Sequence, residues 1–477
     1  MSWINIESHK DDGDVEKSYQ FARWISWLFL VASILLLTYT YYRAEINFQG
    51  TKGVFYFKYY LISLAGILFW GGVLRLRAGI RANIVTVATS LIVSLYLIEG
   101  GLTLFGVAPT NFERISLAHK QGVDFDQRTR LQVIEELIAD GVDAVPTFHP
   151  TEILDKVGVY EIVMDVLPFS GVANKTTVYG NESSEYLIYQ SDRYGFNNPD
   201  SSWDNENFEW LLIGDSFIHG AHVQPGENIT EKIHSITNNS AISLGIGGYG
   251  PLLELAVLKE YAESFRPKKV LWVYYEGNDF QDLLKEKKTP LLLKYLDDDF
   301  SQNLLNRQKE LDKVLGDYIS SSKAKEKAKE KAKEKSNKLS WIRLLSVRNL
   351  MQFDNDNYNS INIDNLIDAE SPLFVKILMK AKERVQKWGG NLYFIYLPTH
   401  ERYNSKVVSH NKFVKKAEII DLVKGLNIPV IDIHQEVFAG HADPLSLFPF
   451  RLYGHYTADG YAEVAKAIVD GVKKHEH

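Results

Sequence analysis

An α/β fold built on a parallel sheet, carried behind an N-terminal membrane anchor, is the architecture this sequence predicts. Three observations predict it. Short apolar runs alternate with helical patterns from about residue 201 onward, and such alternation favours a sheet sandwiched between two helix layers, a three-layer α/β/α arrangement. Several of these runs stop abruptly at Gly-rich or Gly-Asx turns. Three long apolar stretches crowd into the first 106 residues.

Those stretches are about Phe21–Tyr42, Phe55–Leu74 and Ile84–Phe105. A helix of about 21 residues rises roughly 31 Å, enough to cross a bilayer core. Three in succession argue against a signal peptide or a single buried core helix. Orientation follows from basic residues in the short flanks. Lys10, Lys17 and Arg23 belong to the segment leading into the first stretch, and Arg75, Arg77 and Arg81 lie between the second and third, against Arg43, Lys52 and Lys58 in or just past the first loop. The bias puts the N-terminus in the cytoplasm, and three crossings then carry everything after residue 106 outside. Glu99 falls inside the third stretch but near its outer end, where it reads as a carboxylate at the interface.

Residues 107–200 read as a small α+β accessory region. Arg130–Ile138 has apolar positions at helical spacing and stops at Gly141. Short β-type runs follow, Val157–Tyr160 and Glu185–Tyr189 among them, and Tyr194–Pro199 turns into the next strand. Asn174-Lys175-Thr176 and Asn181-Glu182-Ser183 match a glycosylation sequon, as an Asn-rich chain does by chance.

The domain spanning 201–477 has strand-like runs near 210–214, 241–245, 270–275, 391–397 and 428–432. An insertion at about 280–372 interrupts the rhythm. It holds a four-residue repeat, Lys323 to Lys335, with seven Lys against three Glu. This reads as a solvated helix or linker. Because it follows directly on the third strand end, the insertion is also placed to serve as a lid or specificity element.

The chemistry-bearing residues sit just past strand ends, where α/β sheets bind ligands. Leu211-Leu212-Ile213-Gly214-Asp215-Ser216-Phe217 lifts a serine hydroxyl off the first strand. Leu244-Gly245-Ile246-Gly247-Gly248-Tyr249-Gly250-Pro251 is a glycine-dense turn whose backbone N–H groups can approach developing negative charge. The third strand ends in Gly277-Asn278-Asp279, and an Asn amide, unlike an Asp, can donate to an oxyanion. Near the C-terminus, Tyr453-Gly454-His455-Tyr456 places a histidine before a final helix expected from Asp459 to about Val472.

This ordered set resembles the four blocks of the SGNH, or GDSL, hydrolases. The resemblance covers roughly Trp210 to His477. It implies Ser216 as nucleophile and His455 as general base. It also implies an oxyanion hole from the N–H groups of Ser216 and Gly248, with Gly247 as the neighbouring alternative, and the side chain of Asn278. No cofactor or metal is implied. One departure stands out. The family usually carries an Asp three residues before its histidine, and here that position is Leu452. Either a Ser–His dyad works with a backbone carbonyl holding the ring, or an acid arrives from elsewhere, such as Asp443 or Asp432, or the enzyme has decayed. Retention of Ser216, Asn278 and His455 favours a working dyad.

The expected function is acyl-ester chemistry outside the cytoplasmic membrane, on acylated cell-surface glycan. Water as acceptor makes an esterase; a sugar hydroxyl makes an O-acyltransferase. A non-catalytic glycan-binding or envelope scaffold is the contrasting class. The expected partners are the lipid bilayer, a carbohydrate ester and the envelope polysaccharide machinery. A net charge of −7 without a basic stripe in the body of the chain gives no nucleic-acid signature. Zero Cys excludes disulfide, thiolate-metal and thiol redox chemistry. His219 and His222, three apart after the nucleophile, lack an HExxH-type context and read as site-wall or surface residues rather than ligands.

Overall fold

The computed structural model describes residues 7–47, 53–104, 112–154, 166–205, 208–340, 363–404 and 415–476. The run Val157–Tyr160 lies outside them. Two compact units divide the chain: Met1–Pro109 with Lys335–Asp354, and Thr110–Glu334 with Asn355–His477.

The first unit contains the helices Glu7–Tyr41, Gly53–Val73 and Ala78–Leu104. Gly13–Asn47 and Ala78–Gly101 are long and apolar enough to cross a membrane. Their bulky side chains point outward, with Trp24, Leu28, Leu91 and Leu97 all exposed. Inside the unit, Phe29 stacks on Trp70 at 4.5 Å between ring centroids. Glu99 is buried, with 1 % of its surface exposed. A carboxylate in an apolar helix is sheltered better among neighbouring helices than in lipid.

In the second unit, the strands β4 (Trp210–Ile213), β5 (Ala241–Ser243), β6 (Lys269–Tyr275), β7 (Asn391–Leu397) and β8 (Val430–Asp432) form one sheet in the order β5-β4-β6-β7-β8. Every pairing is parallel. The sequence predicts all five. Their near-continuous apolar runs suit a sheet covered on both faces.

Alternate residues of the strands enter two separate cores. Leu211, Ile213, Trp272, Tyr274 and Phe394 join one, with the helices Pro251–Val257, Ile363–Lys387 and Lys415–Gly425. Leu212, Leu271, Val273 and Ile395 join the other, with Ile229–Thr237 and Ala458–Glu476. The two-residue period of a strand gives each face its own layer.

The region before β4 belongs to the same compact unit. It contributes a second sheet of β1 (Ala144–Pro146), β2 (Thr176–Val178) and β3 (Ile188–Gln190), β1 parallel and β3 antiparallel to β2. The helix Arg130–Ala139 starts where the pattern predicts. Thr129 caps it reciprocally with Gln132, at 3.2 Å and 2.7 Å.

The beginning of the insertion is core rather than lid. Leu304, Leu311 and Leu315 are fully buried. Gln302 Oε1 accepts from the Leu167 N–H at 2.8 Å, and Asp312 Oδ1 from the Ala173 N–H at 3.1 Å. The Lys-rich repeat is helical, within Gln308–Ser340. Along it, Lys327 pairs with Glu135 at 2.8 Å.

Candidate active site

The strand order reverses at β4. The chain leaves it toward β5 on one side and returns to β6 on the other, the switch point at which open α/β sheets form ligand crevices. The segments after β4, β5 and β6 therefore lie side by side, carrying Ser216, Gly248 and Asn278 respectively.

Ser216 opens a one-turn helix, Ser216–His219, with Asp215 as its N-cap. The cap carboxylate accepts from the Phe217 N–H at 2.9 Å. This holds the turn that presents the serine. His455 arrives from the far end of the chain, and its Nε2 lies 2.7 Å from Ser216 Oγ. The imidazole is backed by Phe217 at 4.8 Å between centroids, and Phe217 in turn packs on Tyr275 and Tyr456.

The acid that the sequence did not locate is Glu182. Its Oε2 lies 3.1 Å from His455 Nδ1 and accepts from the His455 backbone N–H at 2.9 Å. The two acids considered from sequence are engaged elsewhere: Asp443 forms a bidentate pair with Arg451, and Asp432 meets Lys416 at 2.5 Å. A backbone carbonyl does not take their place, because the carboxylate occupies Nδ1. Glu182 comes from the turn between β2 and β3, and Arg114 secures that turn to the histidine loop. The guanidinium donates to the Glu182 carbonyl at 2.9 Å and to the Tyr453 carbonyl. Gly454 makes the approach feasible, since a Cβ there would stand 2.5 Å from Glu182 Oε2 and 3.0 Å from Arg114 Nη2.

Backbone strain gathers on these loops. Ser184, His222, Phe450 and Arg451 all take positive φ, between 54° and 94°. Non-glycine residues adopt that region at a cost, and such outliers concentrate at functional sites.

Burial works to lower the His455 pKa, but the Glu182 charge and hydrogen bond outweigh it and hold the ring above its ordinary value. Burial likewise works to raise Glu182. The charge and hydrogen bond of His455 outweigh it and hold the carboxyl well below the usual range. Both shifts describe a carboxylate matched to a ring that can carry a proton.

The glycine turn is clamped from two sides. Glu286 accepts from the Gly250 and Leu252 N–H groups at 2.7 Å and 2.9 Å, and His149 Nδ1 meets the Gly247 carbonyl at 2.9 Å. Gly248 has φ +82°, and a Cβ there would press on Thr151 Oγ1 at 2.8 Å. Asn278 caps the helix Asp279–Glu286, and its Nδ2 donates to Asp282 at 2.7 Å. One of the two amide protons is so committed, which fixes the amide plane and leaves the second for a ligand.

His219 is fully buried, with Tyr179 and Tyr189 at 4.8 Å and 5.3 Å, and burial pushes it down to about 3. It stays neutral and serves as a wall. His222 is at the site itself, with Nε2 3.4 Å from Glu182 Oε1.

No family model matches this chain, and no curated protein matches it significantly. The site therefore stands on its own geometry. Sequence reasoning missed Glu182 and Arg114, and no local signal marks either. Glu182 sits within a sequon triplet read as noise, some 273 residues from the histidine it contacts.

Proposed function

We propose that this chain is a membrane-anchored serine acyl-ester hydrolase of the SGNH type, with a three-layer α/β/α catalytic unit held outside the cytoplasmic membrane. Its proposed substrate is acylated cell-surface glycan. The observation that carries the reading is the line Ser216 Oγ, His455, Glu182, with contacts of 2.7 Å and 3.1 Å. A nucleophile, a base and an orienting acid in this relation recur on unrelated folds that perform acyl transfer.

His455 Nε2 takes the Ser216 proton as Oγ attacks the ester carbonyl. Glu182 accepts the hydrogen bond from Nδ1–H, fixes the tautomer that leaves Nε2 free, and stabilises the imidazolium that forms. The negative charge on the tetrahedral intermediate is met by the Ser216 and Gly248 N–H groups and the free amide proton of Asn278. The imidazolium then returns its proton to the leaving alkoxide. Water, activated by His455 in the same way, releases the acid from Ser216. The scaffold reading loses its main support, because Leu452 leaves no gap that Glu182 does not fill.

Labelling the full-length protein in detergent with a fluorophosphonate tests the nucleophile. Label on wild type and none on Ser216→Ala is the expected pattern, and equal labelling of both would overturn the assignment. Incubation with acetylated glycans should release free acetate. Acetate moved to a second sugar without release would make the protein an O-acyltransferase.

Asn278→Ala should lower kcat by roughly 10²–10³ with little change in KM, because an oxyanion donor acts mainly in the transition state. A change confined to KM would make Asn278 a ground-state binder.

The proposed topology, with Arg75, Arg77 and Arg81 retained inside, expects an active alkaline phosphatase when that reporter is fused after residue 477. An inactive phosphatase there, with an active cytoplasmic reporter in its place, would sink both the orientation and the surface-glycan substrate.

A further inference from the structure

We propose that Glu182, His222 and His455 form an inhibitory binding site for a divalent transition-metal ion, zinc above all, that switches the ester chemistry off. Each residue offers one ligand atom, and the three atoms lie within 4.8 Å of one another. Each imidazole faces one oxygen of the same carboxylate: His222 Nε2 lies 3.4 Å from Glu182 Oε1, and His455 Nδ1 lies 3.1 Å from Glu182 Oε2. Ligands at about 2.0–2.2 Å in a tetrahedron stand roughly 3.3–3.5 Å apart, so side-chain rotation must draw atoms now within 4.8 Å onto a common centre. Two imidazoles and a carboxylate with room for a fourth ligand make a donor set that zinc favours over magnesium or calcium.

One of the three ligands also borders a cavity that Ser216 does not line. A cavity of about 350 Å³ is lined by His222 together with Ser183, Gln224, Phe450, Glu185 and Glu227. Two acidic residues among its lining favour cations there over anions. His222 keeps its imidazole at this spot despite φ +63°, a conformation that glycine or asparagine takes with less strain.

The consequence for the chemistry follows from the tautomer. In the working state the single proton of the neutral His455 ring is on Nδ1, toward Glu182, and Nε2 accepts from Ser216. A metal bound at Nδ1 needs that nitrogen's lone pair. The ring proton then resides on Nε2, moved through solvent with no net gain or loss. Nε2 becomes a donor to Ser216 Oγ and can no longer take its proton. The Glu182 carboxylate is drawn to the metal in the same event.

The binding arm of the test does not depend on the enzyme reading; the inhibition arm does. Zinc titrated calorimetrically into full-length Ser216→Ala protein in detergent should bind one ion per chain in the micromolar range or tighter. Adding His222→Asn, an exchange whose backbone tolerates positive φ, should weaken binding at least tenfold, and Glu182→Gln should do the same. On the active protein, zinc should inhibit ester hydrolysis reversibly, with a chelator restoring the rate. The His222→Asn variant, measured against its own uninhibited rate, should need at least tenfold more zinc. Absence of binding to Ser216→Ala protein, or equal affinity with and without His222, overturns the proposal. So does activity that a chelator destroys and zinc restores, which would make the ion catalytic. Zinc binding without any ester activity would leave the metal site standing and count against the proposed enzyme.

Discussion

Replacing Ser216 with alanine should lower kcat for ester hydrolysis by as much as about 10⁶, and His455→Ala should cost nearly the same. Combining them should cost little more. The two side chains share one hydrogen bond at 2.7 Å, and each is useless to the reaction without the other. The base has no proton to accept when the hydroxyl is gone, and the hydroxyl remains a weak nucleophile when the base is gone. Residual turnover above that in water should persist, since the glycine turn and Asn278 are untouched by either change. The measurement is acetate release by the two single variants and the double variant at saturating substrate. Full activity in Ser216→Ala, or losses that simply multiply in the double variant, would contradict a shared catalytic unit.

Glu182→Gln should cost about 10⁴ in kcat, the loss seen when an orienting acid becomes an amide and favours the wrong tautomer. It should also move the pH profile in a defined direction. His455 must be neutral to act, so activity rises as pH climbs through its pKa, which Glu182 holds above the ordinary 6.5. Removing the charge leaves burial as the larger influence, and burial lowers the pKa. The acidic limb of kcat/KM should therefore shift to lower pH even as the plateau falls. A merely structural role for Glu182 would lower the plateau without moving the limb. The same pair affects folding with opposite signs for its partners. The raised His455 contributes stability that is complete below about 6.5 and lost as pH rises through its folded value. The depressed Glu182 contributes stability above the ordinary carboxylate range that is lost on acidification. Asp443→Asn is the control and should leave both rate and limb unchanged, because Asp443 is paired with Arg451 at the surface.

The sheet was legible in the sequence because its strands are buried on both faces and so read as unbroken apolar runs, as in Val270–Tyr275 and Leu392–Leu397. Ser216, Gly248 and Asn278 were legible because each follows such a run, and His455 because it shortly precedes the final helix, Ala458–Glu476; those boundaries have local chemical signatures. Glu182 has none. It is a turn residue between two three-residue strands, and it comes to face the His455 ring only through the Arg114 and Gly454 contacts that tertiary packing supplies. Asp443 and Asp432 are closer to His455 in sequence, and closeness in sequence has no bearing on which carboxylate meets a ring. The insertion misled for a related reason. A break in the strand–helix rhythm suggests an appendage, yet Leu311 and Leu315 carry helical spacing and join the same core as Leu211 and Trp272.

The contact between Glu182 and His455 also sets an order of events in the making of the protein. Their separation of 273 residues means that the hydrogen bond closes a loop more than half as long as the chain. Synthesis delivers Glu182 first and Ser216 soon after, but the ring that joins them is made only when the final strand and the turn beyond it exist. Contacts of such long range form late, after the local helices and the inner strands have packed. Until then the unit can hold its sheet, its nucleophile and its glycine turn and still be inert. On the proposed reading, a chain that has not yet made His455 therefore holds the serine and the orienting carboxylate without the base, and ester chemistry waits on that late contact.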